Sequence, residues 1–209
     1  MHEEALPGAS GDLLASLTAV GGDELRGWVL AGGTGLALQL GHRISEDFDF
    51  FRTSGMDTPS LFDRLKKTGT CEALQYGERT LSVLLRGVQL SFFQIDAPFL
   101  FPTAPFRFFA VADRRDIALM KLLAVNNRGS RKDFVDLFAI LQAGATLSDY
   151  LEMLPRKYGE GRLNPNQVVM SLTYFDDAEA EPPPRMLTPF DWDRCKEFFV
   201  RQARALVLP

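Results

Sequence analysis

Cysteine is scarce, with two among 209 residues. Cys71 and Cys195 stand far apart and in no metal-ligand spacing, which excludes a disulfide-framed module and a cysteine-built metal site, and leaves each an ordinary thiol. No apolar run approaches the roughly 20 residues that a membrane helix requires, so a spanning helix is not expected. The start, MHEEALPGASGD, lacks the basic and then apolar order of a signal peptide, and a cytoplasmic protein is expected. An excess of basic residues is also missing. Lys and Arg number 23 against 27 Asp and Glu, for a formal charge of -4. Proteins that coat nucleic acid by bulk electrostatics owe their affinity to many phosphate contacts, so any nucleic-acid contact here must use a local basic patch.

What is present suits a folded chain. Hydrophobic residues make up 46% and charged residues 24%, and the 17 phenylalanines offer ample burial. The length allows one domain with a core, or a core plus a smaller helical lobe. No internal repeat is visible. GDLLASLTAV (11 to 20) reads as a short amphipathic helix broken by the following Gly-Gly. GWVLAGG (27 to 33) reads as a buried strand ending in a glycine turn, and TGLALQLG (34 to 41) as a compact helix capped by Thr34 and closed by Gly41. SEDFDFF (45 to 51) reads as a second strand. PSLFDRLKKTG (59 to 69) has the end signals of a helix, with proline in its first turn, lysines in its last and a glycine stop. Strands follow at 79 to 85 and 88 to 94, joined at Arg86-Gly87. A proline-rich bend from Pro98 to Pro105 leads to a strand in FRFFAV. After Asp113 the pattern turns helical: 113 to 127, 131 to 142, 147 to 158, 164 to 175 and a terminal helix from 191. The acidic, proline-rich DDAEAEPPPR between the last two reads as an exposed connector. The expected class is α+β, with an α/β core over residues 1–112 and a helical lobe over 113–209.

The densest chemistry lies between residues 32 and 49. Side chains alternate along a strand, so Asp47 and Asp49 share one face while Phe48 and Phe50 point to the other, toward a core. Two like charges about 7 Å apart repel unless a cation lies between them, and magnesium suits that position because it takes oxygen ligands from one or two carboxylates together with substrate phosphates. Alternation alone fits an ordinary edge strand better, with acidic residues facing solvent and phenylalanines facing in. The preceding segment favours the metal holder. Gly32 and Gly33 leave room for a phosphate near the backbone, and Thr34 opens a helix whose free N–H groups and dipole favour an anion. An anion cradle beside a metal holder is what phosphoryl transfer from a triphosphate requires.

The run GGTGLALQLGHRISEDFDFF resembles the signature of AbiEii-type nucleotidyltransferase toxins, a branch of the polymerase-beta-like nucleotidyltransferase superfamily found in bacterial abortive-infection and toxin–antitoxin systems. A second block, DIALMKLLAVNNRGSRKDFVDLFAIL (116 to 141), is similar to that family's second signature. The resemblance spans most of residues 27 to 142 and implies a polymerase-beta-like core of small mixed sheet and flanking helices, followed by a helical C-terminal lobe.

In the second block, Lys121 lies on a helical stripe with Ile117, Ala118, Ala124 and Val125, apolar except at Arg128. An ammonium there needs an anionic partner or a path for its stem to reach water, since burying it unpaired costs several kcal/mol. Asp133 and Asp136 share a face at the start of the next helix, where a carboxylate also serves as a cap. Arg128, Arg131 and Lys132 form a basic turn suited to phosphates or simply to solvent. The resemblance gives Lys121 a catalytic or triphosphate-contacting role, with Asp133 or Asp136 orienting it or activating an acceptor hydroxyl. It places His42 and Arg43 beside the triphosphate. Ser45 could bond a phosphate or cap a turn.

One departure stands out. Polymerase-beta-like enzymes present a third carboxylate on a neighbouring strand, and here that position carries Ser91, with Gln89 and Asp96 nearby. Asp47 and Asp49 are left as the metal ligands, for magnesium or alternatively manganese. The activity so implied is transfer of a nucleoside monophosphate from a triphosphate to an RNA acceptor, with tRNA 3′ ends favoured by analogy. Blocking such ends would make the protein a growth-arresting toxin restrained by an antitoxin partner. The alternatives are nucleotidylation of a small hydroxylated molecule, and a catalytically silent nucleotide-binding module.

Overall fold

The computed structural model describes residues 1–19 and 25–206. They divide into two compact units, Met1–Asp113 and Arg114–Pro209.

The first unit is built on a mixed sheet. Among the described residues it has seven strands: β1 (Val29–Leu30), β2 (Phe48–Arg52), β3 (Cys71–Tyr76), β4 (Thr80–Leu85), β5 (Val88–Gln94), β6 (Ala104–Phe106) and β7 (Phe109–Val111), in the spatial order β3-β4-β5-β2-β1-β7-β6. β1 runs antiparallel to β2 and parallel to β7, and β2 runs parallel to β5. One face collects the aromatic residues that alternation selects. Phe50 stacks on Phe92 at 5.4 Å and meets Phe109 edge-on at 5.2 Å, and Trp28 meets Phe92 edge-on at 5.0 Å. Aromatic pairs in these geometries add to the burial of their large apolar area. Leu13, Leu14 and Leu17 of α1 (Gly8–Ala19), with Leu61 and Leu65 of α3 (Thr58–Thr68), join the same core.

Local signals account for most boundaries. Asp57 caps α3 by accepting the Ser60 N–H, and Pro59 occupies its first turn. Arg86 and Gly87 both take positive φ, 49° and 81°, and close the β4–β5 hairpin with the twist that two-residue turns favour. Four details differ from the sequence reading. α1 begins at Gly8, three residues early, and the glycine pair expected to end it falls outside the described residues. β3 was not foreseen: it is an edge strand paired on one side to β4, and its mostly exposed residues give no hydrophobic alternation to read. FRFFAV is not one strand but the end of β6, a turn at Arg107, and β7. The glycines at 32 and 33 are not a turn but the first residues of α2 (Gly32–Leu40), whose N-cap is Ala31 rather than Thr34. Gly41 closes α2 in the left-handed conformation, as expected.

The second unit is helical: α4 (Arg114–Asn127), α5 (Arg131–Gln142), α6 (Leu147–Tyr158), α7 (Pro165–Ser171), α8 (Asp176–Ala180) and α9 (Trp192–Leu206). Its core centres on Phe134 of α5, which meets Phe175, Trp192 and Phe199 with ring centroids 5.1 to 6.0 Å apart. α6 starts with a reciprocal capping box between Thr146 and Asp149. The acidic stretch from Asp176 is not wholly a connector: it begins with α8, and Glu181 accepts the backbone N–H of Arg131 at 2.9 Å.

Candidate active site

Asp49 sits in the middle of the sheet, on β2, half-buried and on the face opposite Phe48 and Phe50. Its carboxylate lies against the first turn of α2. A Cβ built on Gly32 would stand 2.5 Å from Asp49 Oδ2, and Gly32 has φ of +59°. Glycine is therefore required at position 32 twice over, by conformation and by space. Asp47 is exposed and precedes β2, which starts at Phe48 rather than at Ser45 as expected.

The start of α2 is tied directly to this strand. Ala31 N–H donates to Asp49 O at 2.9 Å, and the Thr34 hydroxyl bonds Ser45 Oγ at 2.8 Å and also the carbonyl of Asp47. Thr34 is the third residue of the helix, so its hydroxyl fixes the strand while its N–H belongs to the open first turn. The first helical bond runs from Gly35 N–H to Ala31 O, so the N–H groups of Gly32, Gly33 and Thr34 have no carbonyl one turn back to satisfy them. Such a turn carries partial positive charge. The Arg43 guanidinium and Ser45 Oγ pack against Gly33, and Arg43 and His42 are both buried. Five of the predicted nucleotide-binding residues, Gly32, Gly33, Thr34, Arg43 and Ser45, thus form one continuous cluster with the predicted metal ligand Asp49.

The neighbouring strand lacks a third acid. In the β2–β5 register Asp49 stands opposite Ser91, which is buried and bonds Ser82 Oγ at 3.1 Å across to β4. Gln89 approaches Ser91 at 3.5 Å, whereas Asp96 pairs with Arg79 beyond the end of the strand. Among the described residues no group of three or more His, Cys, Asp or Glu is gathered to hold a metal.

In the helical unit, Lys121 of α4 is 6% exposed. Its ammonium lies 2.8 Å from Asp133 Oδ1 and 2.6 Å from Asp136 Oδ2, both fully buried on α5. Arg128 Nε donates to Asp133 Oδ2 at 2.9 Å, and the Ser130 hydroxyl donates to the same oxygen at 2.8 Å. Burial pushes the Asp133 carboxyl up, but the charge of Lys121 and the bonds and charge of Arg128 outweigh it and hold the group below the ordinary carboxylate range. Two cations thus balance two carboxylates. Arg128 keeps a side-chain exposure of 67%, and Lys132 is also exposed, while Arg131 is turned to Glu181 and the Trp192 ring.

The model of the AbiEii nucleotidyltransferase toxin of type IV toxin–antitoxin systems matches residues 13–88. An uncharacterised protein of Aquifex aeolicus is 34% identical over 180 residues, covering 84% of this chain and 85% of the relative. The chain belongs to the AbiEii nucleotidyltransferase toxin family. Two solved structures share the fold. MenT4, a nucleotidyltransferase toxin of Mycobacterium tuberculosis, superimposes with TM-score 0.60 at 16% identity over 95% of this chain and 82% of its own. A candidate nucleotidyltransferase of H. pylori gives 0.56 at 17% identity over 94% and 92%.

For this AbiEii chain the α+β architecture expected from the sequence is the one observed. AbiEii membership makes it a nucleotidyltransferase and implies a nucleoside triphosphate substrate and an antitoxin partner. No described helix is long and apolar enough to cross a membrane. Sequence reasoning missed a second buried pair, Lys157 Nζ on Asp116 Oδ1 at 2.7 Å, because 41 residues separate the partners and no spacing rule connects them.

Proposed function

We propose that the protein transfers a nucleoside monophosphate from a nucleoside triphosphate to an RNA hydroxyl, favouring tRNA 3′ ends, and that it does so in the cytoplasm as a toxin. The observation that carries this reading is the Asp49 carboxylate seated against the open first turn of α2. An anion-binding helix start and an acid that needs a cation to accept a phosphate beside it are complementary halves of one triphosphate site.

Asp47 and Asp49 are the residues that would hold a magnesium ion, for which manganese can substitute, and such an ion supplies charge neutralisation to the triphosphate oxygens. A two-carboxylate donor set fits magnesium, which readily completes its coordination with phosphate oxygens and water. The N–H groups of Gly32, Gly33 and Thr34 bind phosphate oxygens, and Ser45 and Arg43 line the same turn. His42, next to Arg43, is assigned to the triphosphate as well. The acceptor hydroxyl attacks the α-phosphorus: the new P–O bond forms, the bond to the bridging oxygen of pyrophosphate breaks, and the hydroxyl proton leaves to solvent or to a carboxylate. Lys121 is assigned to the catalytic machinery as a cation held in place by Asp133 and Asp136, and exposed Arg128 and Lys132 to phosphate contact.

A second reading, a nucleotide-binding module without turnover, is favoured by Ser91 standing where a third acid would be. Both are tested by incubating the protein with each α-labelled triphosphate, magnesium and total RNA. Label should appear in RNA and fall by at least about 10²-fold in Asp49→Asn, as for loss of a major electrostatic contact. Label on small hydroxylated molecules instead would identify a different acceptor, and binding with no transfer would leave the silent module.

A further inference from the structure

The helical unit contains a cleft of about 530 Å³, and Arg128 is the one residue of its lining that the proposed chemistry uses. Its walls come from the end of α4, from α7, and from the segment leading into α8. Amide side chains project from two of these walls: Asn126 and Asn127 on α4 and Gln167 on α7. Met170, one turn along α7 from Gln167 and 70% exposed, and Tyr174, 56% exposed, also line it. They are two of the six most open large apolar side chains among the described residues, and both border this one cleft.

The charges restrict what such a cleft can take. Arg128 is its one lining cation, already bonded to Asp133, and Asp177 is a lining anion. Asp176 and Asp177 lie close enough to Tyr174 to raise its hydroxyl above the ordinary range, so the field on that side is negative. With Arg128 the one lining group that can take a phosphate, a triphosphate or a run of backbone phosphates would be repelled beside Asp177. A flat, neutral heterocycle would not be, since it offers a π-face for Tyr174 and donor and acceptor edges that Asn126, Asn127 and Gln167 can both give to and accept from. We propose that this cleft binds an unpaired nucleobase of the RNA acceptor, stacked on Tyr174 and hydrogen-bonded by the amides of Asn126 and Gln167.

The inference rests on the RNA-acceptor reading for its biological meaning, but its ligand can be tested without turnover. A fluorescein-labelled single-stranded oligoribonucleotide of about eight residues is titrated into the full-length protein, beside a blunt duplex of the same sequence. The single strand should bind more tightly than the duplex. Tyr174→Ala should weaken single-strand binding by about 5- to 100-fold, the loss of one base–aromatic stack, and Tyr174→Phe should restore it. Because Tyr174 is largely exposed, an unchanged melting curve is expected for both variants. In the transfer assay, Tyr174→Ala should raise KM for RNA and leave KM for the triphosphate unchanged.

Single-strand binding that depends on Tyr174 with no transfer to RNA would uphold the cleft and overturn the activity. Transfer to RNA with both the oligonucleotide affinity and KM unaltered in Tyr174→Ala would overturn the cleft and uphold the activity. Equal affinity for duplex and single strand, or no binding of either, would also overturn it, as would a Tyr174→Ala variant that loses only its response to a protein antitoxin.

Discussion

Gly32 shows how a single residue sets the site. With φ at +59° and Asp49 Oδ2 where a Cβ would be, any side chain there would displace the carboxylate that the sheet presents. Asp133 shows the converse, a carboxylate fully satisfied by its surroundings, with Lys121, Arg128 and Ser130 on its two oxygens. Its pKa lies below that of an unfolded aspartate, so the stability it contributes is fully present above the unfolded value of about 3.9 and is lost as pH falls through the lower, folded value. Urea titrations between pH 7 and pH 3 should show stability falling at the acid end in wild type. Asp133→Asn should flatten that acid limb, and at pH 7 it should be less stable by about 3–5 kcal/mol, because Lys121 is left with one partner fewer in a buried site.

At the scale of elements, α4 is pinned at its first turn and at its middle by buried charge: Asp116 to Lys157 of α6, and Lys121 to α5. Removing one partner of the first pair strands the other without water. Lys157→Met should therefore cost about 3–5 kcal/mol, while the double variant with Asp116→Leu should recover most of that loss; thermal denaturation of the three proteins decides it. If the single and double variants were equally unstable, packing rather than charge would dominate that contact.

Elements with strong local chemistry were legible in the sequence. α3, α5, α6 and the β4–β5 hairpin lie within a residue of where caps, periodicity and the Arg86-Gly87 turn put them. β3 was not legible, because an edge strand with outward-facing residues carries no alternation. The start of α2 was misread for a related reason: Gly32 and Gly33 have turn propensity, and only the close approach of Asp49 and Arg43 explains glycine inside a helix. In the site, the placing of Asp49 on the face opposite Phe48 and Phe50 was visible from the period of a strand. That Lys121 would be held by both Asp133 and Asp136 needed α4 and α5 side by side.

For the whole molecule, a charge of -4 and a short basic turn set the expected mode of RNA binding. Arg131 is engaged with Glu181 and Trp192, which leaves Arg128 and Lys132 as the exposed cations of that turn. With about two phosphate contacts, log K for single-stranded RNA should fall against log salt with a slope near -1.4. A slope steeper than about -4 would mean that phosphate contacts elsewhere dominate.

In the reading proposed above, Asp47 just before β2 and Asp49 on it grip a divalent cation next to a triphosphate. The direct measurement is an electron paramagnetic resonance titration of Mn2+ into the protein with a non-hydrolysable triphosphate. One tightly bound Mn2+ per chain is predicted for wild type, with at least about tenfold weaker binding in Asp47→Asn and in Asp49→Asn and unchanged melting curves. Mn2+ affinity that is the same in all three proteins would contradict the account.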